Sequence, residues 1–337
     1  MRIVCSQDHR LHAPPSEYTR RGVTPYSESP ERVDAILRAL AEAGMSEVAP
    51  PAALAEADLL AVHDAGYLAF LAQAYPAWVA AGEPEEAVVA VVFGMRRRAR
   101  APRSVSEQVG YYAYDTTPLV RRTHQAARAA AACALTAADQ LVQGTPAVYA
   151  LCRPPGHHAG RDTFGGYCYL NNAAAAAAKL ANHGRVALVD VDYHHGNGTQ
   201  EIFYHSDRVL FVSLHADPDD EYPFFWGRAD ERGEGAGLGH NRNLPLPRGT
   251  GQTAYLEALD AGLAQVRAFA PDWLVVSLGV DALASDPVGT FDLPAEAFSR
   301  IGERLAGLRL PSLLVQEGGY DVERLGHAVA RVLAAFD

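Results

Sequence analysis

The second half of the chain alternates between short apolar runs and amphipathic stretches of helical period. Runs rich in Val, Leu and Ala predict strands that are buried on both faces. These strands cover 147–151, 186–190, 209–214, 273–278 and 313–316. Helical patterns cover 171–182, 200–204, 253–269, 294–308 and 322–336. Alternating strands and helices predict an α/β fold, with a mainly parallel sheet covered by helices on both faces.

The first half is less regular. Residues 1–6 predict a first strand, and helical patterns cover 30–43, 53–60 and 123–143, with a further helix ending near residue 80. The segment 82–118 breaks this rhythm with several prolines and glycines, and irregular segments of this length are usually functional. No repeat or linker is evident, so residues 1–337 are predicted to form a single domain that carries 82–118 as an insertion.

Composition is ordinary for a globular protein, with 49% hydrophobic and 20% charged residues. No apolar run reaches the roughly 20 residues that a membrane span needs. The N-terminus resembles a strand and not a signal peptide. The four cysteines form no Cys-x-x-Cys pair, which predicts buried thiols in a reducing compartment and therefore a cytoplasmic location.

The net charge of −11 argues against a nucleic-acid partner, because such proteins present a basic face. It is compatible with a cationic substrate. The one basic run, at 96–100, is predicted to be either a solvated loop or a contact between subunits.

Charged residues follow the strand at 186–190 in an arrangement typical of a metal site. Asp190, Asp192 and His194 alternate along an extended chain, so their side chains share one face. Carboxylates at the end of a buried strand require compensation, which a bound cation supplies. A polar turn that caps a helix is the alternative, but Asp-x-Asp-x-His-His-Gly-x-Gly after a buried strand favours the metal.

Asp281, which follows another strand, is the natural third ligand. Three protein ligands with an open position are typical of catalytic sites, and two acids with one imidazole accept Zn²⁺ or Fe²⁺. Gly279 lies two residues earlier on the same face and offers no ligand for a second ion. The sequence therefore predicts one catalytic metal per chain, with Asp190 outside the ligand set.

His157 and His158 follow a rigid Pro-Pro-Gly turn at another strand end. A water activated by a metal needs a base, and the leaving group needs an acid. The two histidines, oriented by Asp190 and Asn197, are candidates for both roles, although a pair of surface histidines is the alternative. Tyr320 follows two glycines and is a candidate hydrogen-bond donor to an oxyanion, or else a packing residue.

Five motifs, at 153–159, 165–172, 189–199, 277–281 and 317–320, resemble the zinc-dependent histone deacetylase superfamily. The resemblance implies an arginase/deacetylase-type three-layer α/β/α sandwich that hydrolyses an N-acetyl amide. It implies zinc ligation by Asp192, His194 and Asp281, proton transfer by His157 and His158, and polarisation of the acetyl carbonyl by Tyr320. It further implies a Gly166 carbonyl facing the substrate amide and an acyl channel lined by Tyr167 and Phe225. A structural potassium ion is implied near Asp190, Asp192, His194, Ser213 and Leu214.

Within this superfamily the chain is most similar to the bacterial acetylpolyamine amidohydrolases, through 1–9, 63–68, 110–112 and 203–204. That branch implies a homodimer and a narrowed channel entrance formed through 82–118. It also implies that Glu17 meets the distal ammonium of the substrate, with Asp115 the nearest match to a second acid. Asn197 stands where many histone-specific relatives carry Asp.

The leading hypothesis is a zinc amidohydrolase that removes acetyl groups from acetylated polyamines, with His158 as the preferred base. Alternative substrates are acetyl-lysine side chains in proteins and other small N-acyl amines. A metal-dependent sensor without hydrolytic activity is disfavoured, because the predicted catalytic side chains are all present. A binuclear arginase-like hydrolase is disfavoured by Gly279.

Overall fold

A computed structural model describes residues 1–20, 22–94 and 101–337, and the basic run at 96–100 lies outside these ranges. Its main sheet has eight strands in the order β4-β1-β5-β10-β9-β6-β7-β8, and every neighbouring pair is parallel. The strands are β1 (Arg2–Cys5), β4 (Val48–Ala49), β5 (Ala147–Leu151), β6 (Val186–Asp190), β7 (Val209–Ala216), β8 (Asn241–Leu246), β9 (Trp273–Leu278) and β10 (Ser312–Gln316). A separate antiparallel hairpin joins β2 (Ser16–Thr19) to β3 (Gly22–Pro25).

Helices cover both faces of the sheet. They are α1 (Glu31–Glu42), α2 (Glu56–Leu60), α3 (Ala65–Ala80), α4 (Val105–Tyr112), α5 (Thr123–Val142), α6 (Asn172–Leu180), α7 (Asn197–Phe203), α8 (Gln252–Phe269), α9 (Ala295–Ala306) and α10 (Leu325–Leu333). Side chains alternate along β6, so that Ala187 and Val189 join the apolar core under α1, α8, α9 and α10, while Val186 and Leu188 join the core under α5 and α6. This arrangement confirms the predicted α/β/α sandwich.

The hydrophobic pattern missed β4, α4, the β2–β3 hairpin and β8, and the last two show the reason most clearly. The β2–β3 hairpin lies in a proline-rich stretch and is largely exposed, so no apolar alternation marks it. Strand β8 begins inside the glycine-rich stretch 218–242, and its inward-facing residues are the polar Asn241 and Asn243. An edge strand with polar residues facing inward lacks the apolar signal on which strand prediction depends.

The described parts of the 82–118 insertion contain α4 and pack on α3 through a third apolar cluster, which includes Phe70, Tyr112 and Phe164. Val88 and Leu119 form a short antiparallel bridge that closes the base of the insertion. None of the helices within the described ranges is long and apolar enough to span a membrane.

Candidate active site

A cavity of about 450 Å³ opens where the carboxyl ends of the central strands meet. Because parallel strands end at the same edge, residues that follow β5, β6, β9 and β10 converge there. The residues lining the cavity include the predicted site residues His158, His194 and Tyr320, together with Glu17, Asp115, Gly166, Tyr167, Tyr222 and Phe224.

Asp192, His194 and Asp281 form a group with the spacing of metal ligands. One ligand atom of each lies within 4.8 Å of the others. The Nδ1 atom of His194 is 3.3 Å from Oδ1 of Asp192 and 3.1 Å from Oδ2 of Asp281. Strand pairing explains this geometry, because Asp190 on β6 lies opposite Ser277 on β9 and places the two strand ends side by side. Two carboxylates and an imidazole are a suitable donor set for Zn²⁺.

Two glycines leave room for the carboxylates of this group. A Cβ atom on Gly279 would lie 2.0 Å from Oδ2 of Asp192, and one on Gly318 would lie 2.4 Å from Oδ2 of Asp281. Burial and the neighbouring Asp192 charge raise the pKa of Asp281, and a divalent cation would offset that repulsion. The three residues and the glycine cradle around them therefore fit a single metal ion.

A second group of metal-ligand type joins His157, Cys168 and Glu317, all of them buried. Burial raises the pKa of the Cys168 thiol well above its usual range and keeps it protonated, which makes it a poor ligand.

The two adjacent histidines have different partners. Nδ1 of His157 lies 3.0 Å from Oδ2 of Asp190, whereas Nδ1 of His158 lies 2.7 Å from Oδ1 of Asn197, the first residue of α7. Burial alone would lower the pKa of His157, but the charges of Asp192 and Asp190 outweigh it and raise that pKa to about 10. Burial, together with the positive charge on His157, holds the pKa of His158 well below its usual range. The pair therefore consists of a charged and a neutral imidazole.

Tyr320 enters the cavity from the loop after β10. Gly319 has φ +116, a conformation that favours glycine, and it turns the chain so that Tyr320 reaches the cavity. The Arg32 guanidinium lies 4.8 Å from the centroid of the Tyr320 ring. Burial raises the pKa of the Tyr320 phenol well above its usual range, so the hydroxyl remains a hydrogen-bond donor.

Two carboxylates lie in the cavity wall away from the metal-ligand group. Glu17 accepts hydrogen bonds from the Ser27 amide and hydroxyl through Oε1, and from the Tyr167 hydroxyl through Oε2 at 2.6 Å. Asp115 accepts from the Gly166 amide at 2.7 Å and from the Tyr222 hydroxyl at 2.9 Å. All of these donors are neutral. In the part of the chain that the structure describes, no Lys or Arg forms an ion pair with either carboxylate.

Comparison with known proteins agrees with the fold and the motifs. The model of the histone deacetylase domain matches residues 26–336. The chain belongs to the histone deacetylase family. It is 46% identical to acetylpolyamine amidohydrolase 1 of Pseudomonas aeruginosa, over 100% of this chain and 99% of that protein. It is 44% identical to the acetylpolyamine amidohydrolase of Mycoplana ramosa, over 99% and 98% of the two chains. The crystal structure of an acetylpolyamine aminohydrolase from Burkholderia pseudomallei superposes with a TM-score of 0.95, at 41% identity and over 100% and 98% of the chains.

The structure of this deacetylase-family chain differs from the sequence expectation at the channel wall. Phe225 was expected to line the acyl channel, but its side chain is 74% exposed and lies outside the cavity. Phe224 lines the cavity instead, because this residue adopts φ +64 and the chain turns between the two aromatic residues. Tyr222 also lines the cavity, and no motif had pointed to it. Gly166 and Tyr167 lie in the wall as expected.

The residues expected around potassium lie close together on β6 and β7. Asp190 is the direct neighbour of Ser213 in the sheet, and Leu214 follows Ser213. Asp192 and His194 continue the chain beyond Asp190, whose Oδ1 accepts a hydrogen bond from the Asp192 amide. Potassium binding at this set stays a prediction.

Sequence reasoning missed two buried residues that hold the main chain of the loops after β5 and β10 through hydrogen bonds. Glu317 accepts hydrogen bonds from the amides of Gly156 and His157, and so anchors the turn before the histidine pair. Arg32 donates to the carbonyls of Glu317 and Gly319 at 2.6 Å each. Glu317 could have been predicted as a site residue, because it directly follows a buried strand. No local feature of the sequence distinguishes Arg32 from the other residues of its helix.

Proposed function

We propose that this protein hydrolyses the acetyl amide of acetylated polyamines, releasing acetate and a free amine. The observation that carries the substrate class is the pair of carboxylates, Glu17 and Asp115, in the same cavity as the catalytic group. Their hydrogen-bond donors are neutral, so both negative charges remain available to a cationic substrate. The names of the Pseudomonas and Mycoplana relatives support the same substrate class.

Asp192, His194 and Asp281 would hold one zinc ion, although the donor set also accommodates Fe²⁺. Bound there, the ion would polarise the acetyl carbonyl and increase the acidity of the attacking water. The remaining steps belong to side chains of the chain itself.

His158 is the proposed general base, because it is neutral and lines the cavity. Its Nδ1–H donates to Asn197, which leaves the Nε2 lone pair free to take a proton from the water that attacks the acetyl carbon. His158 then passes this proton to the amine nitrogen as the C–N bond breaks. His157, paired with Asp190, keeps its proton and stabilises negative charge, and Tyr320 donates a hydrogen bond to the oxyanion.

Substitution of Glu17 by Gln tests the substrate class. Gln retains the shape of the side chain and can still contact Ser27 and Tyr167, but it removes the charge. The matched substrates are N-acetylputrescine, which carries a distal ammonium, and N-acetylbutylamine, which does not. We expect kcat/KM for N-acetylputrescine to fall by about tenfold or more, because a hydrogen bond to a charged group is lost. For N-acetylbutylamine we expect little change.

Three results would contradict this proposal. An equal loss on both substrates would show that Glu17 is not selective for a cation. Efficient turnover of an acetyl-lysine peptide that is unaffected by Glu17→Gln, with poor turnover of acetylpolyamines, would favour the protein-substrate alternative. Absence of any deacetylation by the zinc-loaded enzyme would exclude both.

The assembly, the monovalent cation and the location complete the proposal. We propose a homodimer formed through the 82–118 insertion, on which Val91 and Val92 are 88% and 77% exposed. We propose potassium at Asp190, Asp192, His194, Ser213 and Leu214. A cytoplasmic location is supported by the four cysteines, all of which are buried free thiols.

A further inference from the structure

We propose that Asp286 is a positioning residue that sets the place of the Tyr320 hydroxyl in the cavity. The inference rests on the proposed function, in which Tyr320 donates a hydrogen bond to the oxyanion. Asp286 itself does not line the cavity and would act through Tyr320.

Within the described residues, the hydrogen bonds that the Asp286 side chain accepts come from main-chain amides. Its Oδ2 atom accepts hydrogen bonds from the amides of Tyr320 at 2.6 Å and Asp321 at 3.2 Å. Its Oδ1 atom accepts from the Val288 amide at 3.0 Å. Asp286 is buried, and only 6% of the residue is exposed. A buried carboxylate is stable only where such donors compensate it, and charge-assisted hydrogen bonds are stronger than neutral ones.

Only a carboxylate satisfies this arrangement completely. Three N–H groups converge on the side chain, and both of its oxygens act as acceptors. An Asn at this position would present its NH₂ group to one of these N–H groups, and that contact would be lost. Aspartate is therefore the residue type whose two oxygens can both accept hydrogen bonds from the surrounding main chain.

The loop that carries Tyr320 requires such an anchor. It approaches through Gly318 and Gly319, which have no side chains to pack, and Gly319 adopts φ +116. Arg32 fixes the loop before Tyr320 through the carbonyls of Glu317 and Gly319. Asp286 fixes it from the other side, at the amide of Tyr320 itself. The main chain at Tyr320 is thereby held by Arg32 on one side and by Asp286 on the other.

Asp286 also joins two parts of the active site. It lies on the loop that follows β9, five positions after the proposed metal ligand Asp281, and it holds the loop that follows β10. The position of the Tyr320 hydroxyl is thus coupled to the loop of the metal-ligand group. Catalysis is sensitive to such placement, because a shift of about 1 Å can cost about 10²-fold in rate.

A double-mutant cycle tests this inference. Asp286→Ala is measured in the wild-type and Tyr320→Phe backgrounds, using the full zinc-loaded enzyme and an acetylated amine that the wild type hydrolyses. In the wild-type background we expect kcat to fall by about tenfold or more with KM changed by less than about threefold, because the oxyanion contact forms in the transition state. In the Tyr320→Phe background we expect less than about threefold further loss, because Asp286 acts through the missing hydroxyl.

Ser285→Ala is the matched control. The Ser285 hydroxyl donates to the Asp321 carboxylate and so joins the same two loops without contacting the Tyr320 amide. We expect near wild-type kcat for this variant. Asp286→Asn should recover most of the activity lost in Asp286→Ala, because the amide oxygen can still accept from Tyr320.

Equal losses in both backgrounds, or an unchanged kcat in folded Asp286→Ala, would overturn the proposal. Thermal melting and zinc content identify a variant that has lost its fold or its metal, and Asp286→Ser then takes its place in the cycle. A wild type that hydrolyses no acetylated amine would contradict the proposed function instead, so the two failures are distinguishable.

Discussion

At the scale of single residues, the chemistry of the two adjacent histidines is set by their partners. His157 faces the carboxylate of Asp190, and His158 faces the amide of Asn197. A carboxylate stabilises an imidazolium, whereas an amide oxygen fixes the tautomer without adding charge. In the proposed mechanism the same type of side chain therefore serves as a fixed positive charge at one position and as a neutral base at the next.

Substitution of Asn197 by Asp tests this division of roles. A carboxylate beside His158 would raise its pKa, because the charged imidazole gains an opposite charge. A base must be neutral to act, so the acidic limb of the kcat/KM profile should move to higher pH, by about one unit. The pH profile of N-acetylputrescine hydrolysis, taken from pH 9 down to the lowest pH at which both enzymes stay folded, measures this shift. An unchanged acidic limb in a folded, zinc-loaded variant would argue against His158 as the base.

At the scale of elements, the site is built where strands end in glycine. Strand β9 is followed by Gly279 and strand β10 by Glu317 and Gly318. From the sequence, Gly279 showed only that a ligand for a second metal was missing. The structure adds that no side chain fits there, because even a Cβ atom would lie 2.0 Å from Oδ2 of Asp192. The glycine therefore leaves room for the ligand group of the predicted metal ion and also offers no ligand for a second ion.

Gly279→Ala should accordingly weaken metal binding. The added methyl group must displace the Asp192 carboxylate, and disturbed ligand orientation typically costs about 10- to 100-fold in metal affinity. Zinc affinity measured by competition with a chelator checks this directly, without reference to activity. Gly251→Ala is the control, because a Cβ atom at Gly251 meets nothing within 4 Å. Equal zinc affinities for the two variants would show that zinc binding does not depend on the space left by Gly279.

At the scale of the whole molecule, most large apolar side chains are buried in three clusters, but the insertion departs from this rule. Val91 and Val92 are mostly exposed, and Phe93 is 40% exposed. They lie beside a surface cavity lined by Trp78 and Tyr111. Neighbouring apolar side chains exposed together are typical of an association surface. This observation supports the proposed homodimer.

The double substitution Val91→Ser and Val92→Ser should shift the protein from dimer to monomer. Removal of apolar surface from an interface weakens association, because the hydrophobic contribution scales with buried area. Light scattering coupled to size-exclusion chromatography, over a range of concentrations, measures the mass. Leu238→Ser, at an apolar residue that is 67% exposed in another loop, should leave the mass unchanged. A wild-type protein that is monomeric at all concentrations would exclude the dimer.

The sequence by itself determined the α/β class, the main buried strands and the residues at their ends. It could do so because apolar runs and motifs are local, and because parallel strands necessarily bring their carboxyl ends to one edge. The register of β6 against β9 then brought Asp192 and Asp281 together as the pattern had indicated.

Only the tertiary structure decided which side chains meet across long separations. The contact of Glu17 with Tyr167, the hold of Asp286 on the Tyr320 amide, and the choice of Phe224 over Phe225 for the cavity wall leave no local pattern. Strand β8 escaped prediction for a related reason, since the side-chain NH₂ groups of its buried Asn241 and Asn243 donate hydrogen bonds to Gln200 on α7. Buried polar groups are stabilised by partners that folding brings to them, and those partners are set by the packing of the whole chain.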